Sequence, residues 1–388
     1  MLVLLVSIAL ATPPVPRETL CAGREPCTIG ERVDAGVDAE GAVVSVYAVG
    51  AGNCNVVNWL VVSRGDEVVR AFRLSDGPCS GGRHEMDGRV SGPNQYTYSS
   101  TAWGTGTDGR ESCTLQLSPL RVVKESVCTD DKGGDTSGSW TRDYLTLQAT
   151  WDRFEDCLHS DHAQDSHGKT PEYFGRSVPR APVETAWEGT RLGTCAVQVD
   201  SDTAADIIWG EASTEGDARL RALMVSETVL WLEIDDDVWT HATESWLHDD
   251  HVEIWAYAED MSMGEVDPVQ WGIRLNDGAI FTGYGSSEGH PQATVRALGD
   301  GTRAMRVNLP WSPSRLTVVY SDSDTERRQS LLIGTSRVKR GDARSLGDVW
   351  FPEGKVHCER SERGLVPVDT QVLDVTRIEM AVQICRLH

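Results

Sequence analysis

Val252, Ile254 and Ala256 fall on one side of an extended backbone, and Glu253, Trp255 and Tyr257 fall on the other. That two-residue period is the mark of a half-buried β-strand. Apolar runs of similar length recur at Val229–Ile234, Gly272–Leu275, Ala304–Leu309, Leu316–Tyr320 and Leu331–Gly334. Earlier ones lie at Ala42–Val49, Val56–Ser63, Glu67–Leu74, Thr114–Lys124 and Tyr144–Trp151, and a last one at Thr376–Cys385. Clusters of Gly, Asp, Ser and Asn separate them, so the spacing predicts an all-β chain. Antiparallel strands of this length need a partner face to cover their apolar side, which favours two β-sandwich-like domains. Pro179 and Pro182 disfavour helix over residues 177–186, which read as an extended linker. The expected organisation is an all-β domain over 29–176, a second sandwich over 187–350, and a tail over 351–388 containing a strand.

Composition narrows the function. Lys and Arg total 36 against 59 Asp and Glu, a net charge of −23. Such a chain lacks the cationic footprint that nucleic acid or an anionic membrane surface requires. No run of 18 apolar residues is present to form an integral membrane helix. Leu2–Ala11 is apolar and ends in the small-x-small triplet Ala9-Leu10-Ala11, yet the first basic residue is Arg17. Residues 1–11 are therefore expected to be a signal peptide, with either a truncated start or an unusual leader, and a short buried strand as the alternative. Residues 12–28 then form a leader closed by cysteines. Ten scattered cysteines without a CxxC pair suit disulfides better than zinc, and suggest a secreted, periplasmic or cell-surface protein. Cys21–Cys27 and Cys358–Cys385 are close enough in sequence to be local bridges.

Thirteen tryptophans are present, eight of them between Trp187 and Trp311. Trp187 and Trp209 are expected to close the base of the sandwich. The run Asp235-Asp236-Asp237, with Asp249 and Asp250 further on, offers the oxygen ligands that calcium needs; a solvated acidic loop is the alternative. His159, His162 and His167 are dense but fit no zinc spacing. Gly134-Asp135-Thr136-Ser137-Gly138 looks like a serine-protease nucleophile turn but lacks its base and orienting partners, and reads as a plain turn. No catalytic constellation emerges, so the chain is expected not to be an enzyme.

The most informative stretch is Val229–Asp237 followed by Glu244-Ser245-Trp246-Leu247-His248-Asp249-Asp250-His251-Val252-Glu253-Ile254-Trp255. A strand ending in acids, a loop carrying Trp and a D-x-V-E-I strand together resemble carbohydrate-binding module family 9. Val307–Trp311, Leu316–Asp324 and Ser345–Asp348 resemble later family segments in the same order, across about 165 residues. The resemblance implies a β-sandwich that binds polysaccharides or their chain ends, commonly with structural calcium. It places Trp246 on the first of two clamping tryptophans, Glu253 on a strand carboxylate and Arg274 on a ligand-contacting arginine. Trp255 and Trp231 share the polar phase of their strands, where they either floor a groove or pack under a loop. The second clamp should lie near Arg337–Arg344, where this sequence has no aromatic residue. That departure leaves a second reading open: a surface or periplasmic scaffold that has lost the sugar site.

Overall fold

The computed structural model describes residues 17–21, 27–37, 42–51, 54–74, 83–92, 94–104, 107–117, 120–130, 135–144, 146–152, 174–183, 185–242, 245–258, 268–285, 289–325, 328–338, 340, 343–347, 349–350, 357–368 and 375–385. The signal-peptide reading of residues 1–11 and the histidines at 159, 162 and 167 lie outside them. Apart from helices α1 (Arg17–Leu20) and α2 (Val375–Cys385) and three single-turn 3-10 segments, the regular structure of these residues is strand. Among the described residues no helix is long and apolar enough to cross a membrane. The chain forms two compact units, one of residues 1–124, 129–133 and 371–388, the other of 125–128 and 134–370.

In the first unit, β1 (Cys27–Val37), β2 (Val43–Ala51), β3 (Cys54–Arg64) and β4 (Glu67–Arg73) form an antiparallel meander. A second meander joins β5 (Arg83–Gly92), β6 (Gln95–Gly104) and β7 (Thr107–Leu117). The run expected as one strand over Thr114–Lys124 is divided between β7 and β8 (Leu120–Asp130). Tyr47, Val49 and Val61 bury one face of the first meander against Leu20. Thr376–Cys385, expected as a strand, is part of α2. Its buried residues Ile378, Ala381, Val382 and Cys385 recur at helical spacing, and Cys385 is bonded to Cys113 of β7. The expected Cys358–Cys385 bridge is thereby excluded, whereas Cys21–Cys27 forms.

The second unit begins with β9 (Asp135–Asp143), β10 (Gln148–Asp152) and β11 (Phe174–Arg176). Asp135–Gly138 therefore lies in a strand and not in the expected turn. Then β12 (Val178–Pro179) pairs in parallel with β24 (Val349–Trp350), and Val178 is buried in the core of the sandwich. The strands in between are β13 (Val197–Asp200), β14 (Ile207–Gly210), β15 (Ala218–Met224), β16 (Val229–Asp236), β17 (His251–Tyr257), β18 (Val269–Arg274), β19 (Ile280–Tyr284), β20 (Gln292–Ala297), β21 (Arg303–Asn308), β22 (Arg315–Asp322) and β23 (Leu331–Gly334). They form a five-stranded sheet, β13-β15-β16-β21-β20, and a six-stranded sheet, β14-β23-β22-β17-β18-β19.

Alternation builds the core between these two sheets. Leu220, Leu232 and Ile234 come from one sheet, and Val252, Ile254, Trp271, Ile273 and Val318 from the other. Trp271 is wholly buried and meets Trp311 with ring centroids 5.6 Å apart. Trp187 is buried, but Trp209 is 54% exposed on the edge strand β14. It therefore does not close the base: β14 pairs only with β23, at the edge of its sheet, and the indole is left to solvent. The hairpin of β25 (His357–Ser361) and β26 (Gly364–Val368) is fastened by a Cys195–Cys358 disulfide. None of the described cysteines is free.

Candidate functional site

The strand pleat decides what the acidic run does. Along β16, Leu230, Leu232 and Ile234 face the core, so Glu233 and Asp235 face outward. Asp235 is taken up there by Arg221 at 3.0 Å, Arg191 at 3.7 Å, Arg219 at 3.8 Å and the Thr302 hydroxyl at 2.6 Å. Glu233 beside it accepts the Leu192 amide at 2.9 Å. Burial pushes its pKa up, against the pull of Arg191.

Asp236 and Asp237 belong elsewhere. Asp236 joins Asp250 and Asp322, and Asp237 joins Asp217 and Asp324, with the carboxylate oxygens of each triad within 4.8 Å of one another. The Asp235-Asp236-Asp237 ligand set expected from sequence is therefore split: Asp235 sits in an arginine network, and its two neighbours sit in two different triads. Either triad could hold a metal ion. Asp322 is wholly buried and neither carboxylate oxygen has a partner. Burial, reinforced by Asp236, pushes its pKa up to about 9. Burial likewise raises Asp250 to about 8, against backbone hydrogen bonds, and Asp236 to about 6, against a hydrogen bond from the Tyr320 hydroxyl. Each triad offers three carboxylate ligands, the orphaned Asp322 among those of the first, and an all-oxygen donor set suits a hard cation.

The second cluster lies on the outer face of the six-stranded sheet. Because Val252, Ile254 and Ala256 point into the core, His251, Glu253 and Trp255 point out, opposite Arg274, Gly272 and Gln270 of β18. Trp246 sits in a 3-10 turn, Trp246–His248, where the Ser245 hydroxyl accepts the Leu247 amide at 3.3 Å. Its half-buried indole lies over Gly272, stacks on Phe281 with centroids 5.2 Å apart, and meets His251 edge-on at 5.0 Å. Gly272 gives it room: a Cβ there would stand 2.9 Å from the ring. Gly272→Ala is expected to lift the indole off the sheet at a cost of about 1–3 kcal/mol. Tryptophan emission referenced to Trp246→Phe, together with chemical denaturation, measures both effects.

The other residues singled out by sequence are close by, and most of their polar capacity is used. Glu253 accepts hydrogen bonds from Trp255 Nε1 at 2.9 Å and Gln270 Nε2 at 2.8 Å. Burial raises its pKa, but hydrogen bonds to His251, Trp255 and Gln270 outweigh it and hold the carboxylate below its ordinary value. Arg274 pairs with Asp277 through two hydrogen bonds, approaches Asp249 at 3.8 Å, and lies 5.4 Å from the Phe281 ring centroid. Trp255 is only 6% exposed, covered by Val319 and Leu346, so its ring has no free face. Phe281 and Tyr284, which the sequence reading passed over, are half-exposed on β19. Arg340 lies over Tyr284 at 5.1 Å.

No family model matches this chain, and no curated protein matches it. Solved structures do. The chain is similar to a carbohydrate-binding module of family 9 from Caldicellulosiruptor kristjanssonii in complex with cellotriose, at 15% identity over 49% of this chain and 99% of that one, with a TM-score of 0.31. A glucose complex of a family 9 module from the same organism matches at 16% identity over 44% of this chain and 95% of that one, with a TM-score of 0.29.

Proposed function

We propose that the second unit is a non-catalytic carbohydrate-binding module of an exported protein, and that the Trp246–Phe281 pair is its sugar platform. The observation that carries this reading is the half-buried indole seated over Gly272 and stacked on Phe281, with the Arg274 guanidinium 5.4 Å from the Phe281 ring centroid. A sugar ring lays its C–H face on such a surface, while charged groups at the border take its hydroxyls. Calcium in the two aspartate triads is the cofactor this reading includes, and the disulfides favour an oxidising compartment. The test is a glycan array followed by calorimetry on Trp246→Ala. Losing one aromatic platform of about 1–3 kcal/mol is expected to lower affinity about tenfold or more. Binding that is unchanged in the mutant rejects the platform.

A specific observation supports the second reading, a scaffold without a sugar site. Glu253 already accepts Trp255 and Gln270, and Arg274 is already paired with Asp277. A folded wild-type protein that binds nothing across a broad array favours the scaffold.

A further inference from the structure

We propose that the two aspartate triads work as one cation-operated clasp that fixes the return from β16 to β17, and that a bound divalent cation thereby sets the position of Trp246. The consequence for ligand affinity rests on the sugar-binding reading; the clasp itself does not.

The argument begins with where the ligands sit in the chain. Asp236 and Asp237 stand where the chain leaves β16, and Asp250 stands where it enters β17. Asp322 and Asp324 come from the end of β22, and Asp217 precedes β15. One triad therefore joins the departing and the returning ends of the segment that carries Trp246. The other ties the departing end to the neighbouring strands.

The backbone is wired to the same group. The Asp250 carboxylate accepts the Thr240 amide on one oxygen and the Ser323 amide, at 3.0 Å, on the other. The Asp250 amide donates to Thr240 O at 3.3 Å, and the Asp249 amide donates to Trp246 O at 3.2 Å. Whatever holds Asp250 therefore holds the turn beneath the indole.

Among the described residues none of the six aspartates forms a salt bridge with lysine or arginine, whereas Asp235, one residue away, has three arginines around it. Asp322 is wholly buried with both oxygens unpartnered, so the cost of burying its carboxylate is not offset by any hydrogen bond among the described residues. The donor set is oxygen throughout, which selects a hard divalent cation of the calcium type. Without it, Asp236 and Asp250 repel once both are ionised, and the two ends of the segment are pushed apart.

Amide hydrogen exchange on the full chain tests this, with calcium against chelator and with calcium binding followed by calorimetry. At calcium one hundred times its Kd, the amides of Thr240, Leu247, Asp249 and Ser323 are expected to exchange about 100-fold more slowly, provided the open form does not bind the ion. Asp322→Asn should abolish that protection, and Asp235→Asn should retain it. If Asp322→Asn does not fold, the wild-type comparison decides alone. Absence of calcium binding, or calcium binding that leaves these four amides unchanged, overturns the clasp. Titrating a glycan found by the array with and without calcium separates the two readings. Protection without any glycan binding keeps the clasp and removes the sugar site. Protection with equal glycan affinity in both conditions overturns the control of affinity.

Discussion

Stripping divalent cations is expected to lower the melting temperature of the sandwich, and the loss should grow as pH rises from about 5 to about 9. Asp322, Asp250 and Asp236 have folded-state pKa values of about 9, 8 and 6, all raised by burial. In the unfolded chain they return to about 3.9. Between the unfolded and folded values the native state holds protons that the unfolded state has released. Stability is then complete below the unfolded pKa and is lost as pH climbs through the folded ones, by about 1.4 kcal/mol per pH unit for each proton retained. The three acids touch one another, so they titrate as a unit. A cation reverses the trend, because it binds the deprotonated carboxylates and displaces those protons. Calcium should therefore stabilise little near pH 5 and most near pH 9. Each kcal/mol should appear as about 2–4 °C in Tm for a domain of this size. Melting curves at three pH values, in calcium and in chelator, measure this. Identical curves in the two conditions would show that the triads bind no ion.

The pattern of the chain made the sandwich legible where alternation was clean. Val252, Ile254 and Ala256 read as a core face and are one. It made the acids visible but not their fates, because register decides those. Arg219 lies opposite Asp235, and Ala218 lies opposite Asp236, so adjacent aspartates meet an arginine and a methyl group. No composition rule carries that information. The C-terminal helix differs from the strand its pattern suggests for another reason. Ile378, Met380, Val382 and Ile384 alternate as a strand would, while Ile378, Ala381, Val382 and Cys385 also recur at helical spacing. With both periods present, the pattern alone does not choose. The structure chooses the helix, with the second set buried. Phe281 and Tyr284 were invisible as site residues because β19 is a partly exposed edge strand without a buried face to mark it. Trp246 was legible as a loop tryptophan, but its seat on Gly272 depends on a pairing partner far along the chain.

Replacing both Cys195 and Cys358 by serine is expected to destabilise the second unit by about 5 kcal/mol, against about 2 kcal/mol for the Cys21–Cys27 pair in the first. The chain-entropy cost of an open loop rises with its length, and the two bridges close spans of 163 and 6 residues. Native contacts explain why the longer bridge can form without distortion. Cys358 N donates to Pro182 O at 3.0 Å, and Leu365 N donates to Arg191 O at 2.8 Å. Gly193 sits at a φ of +52° with Leu365 O 2.3 Å from where a Cβ would be, so the hairpin of β25 and β26 rests directly on the backbone of residues 191–195. Both sulfur-bearing residues are buried, so serine also leaves two hydroxyls to satisfy, which adds to the loss. Urea denaturation of each double mutant, read on the transition of its own unit, compares the two. A loss at Cys195–Cys358 no larger than at Cys21–Cys27 would mean that the hairpin is held by its backbone hydrogen bonds alone, and that restraint of the unfolded chain contributes little to this fold.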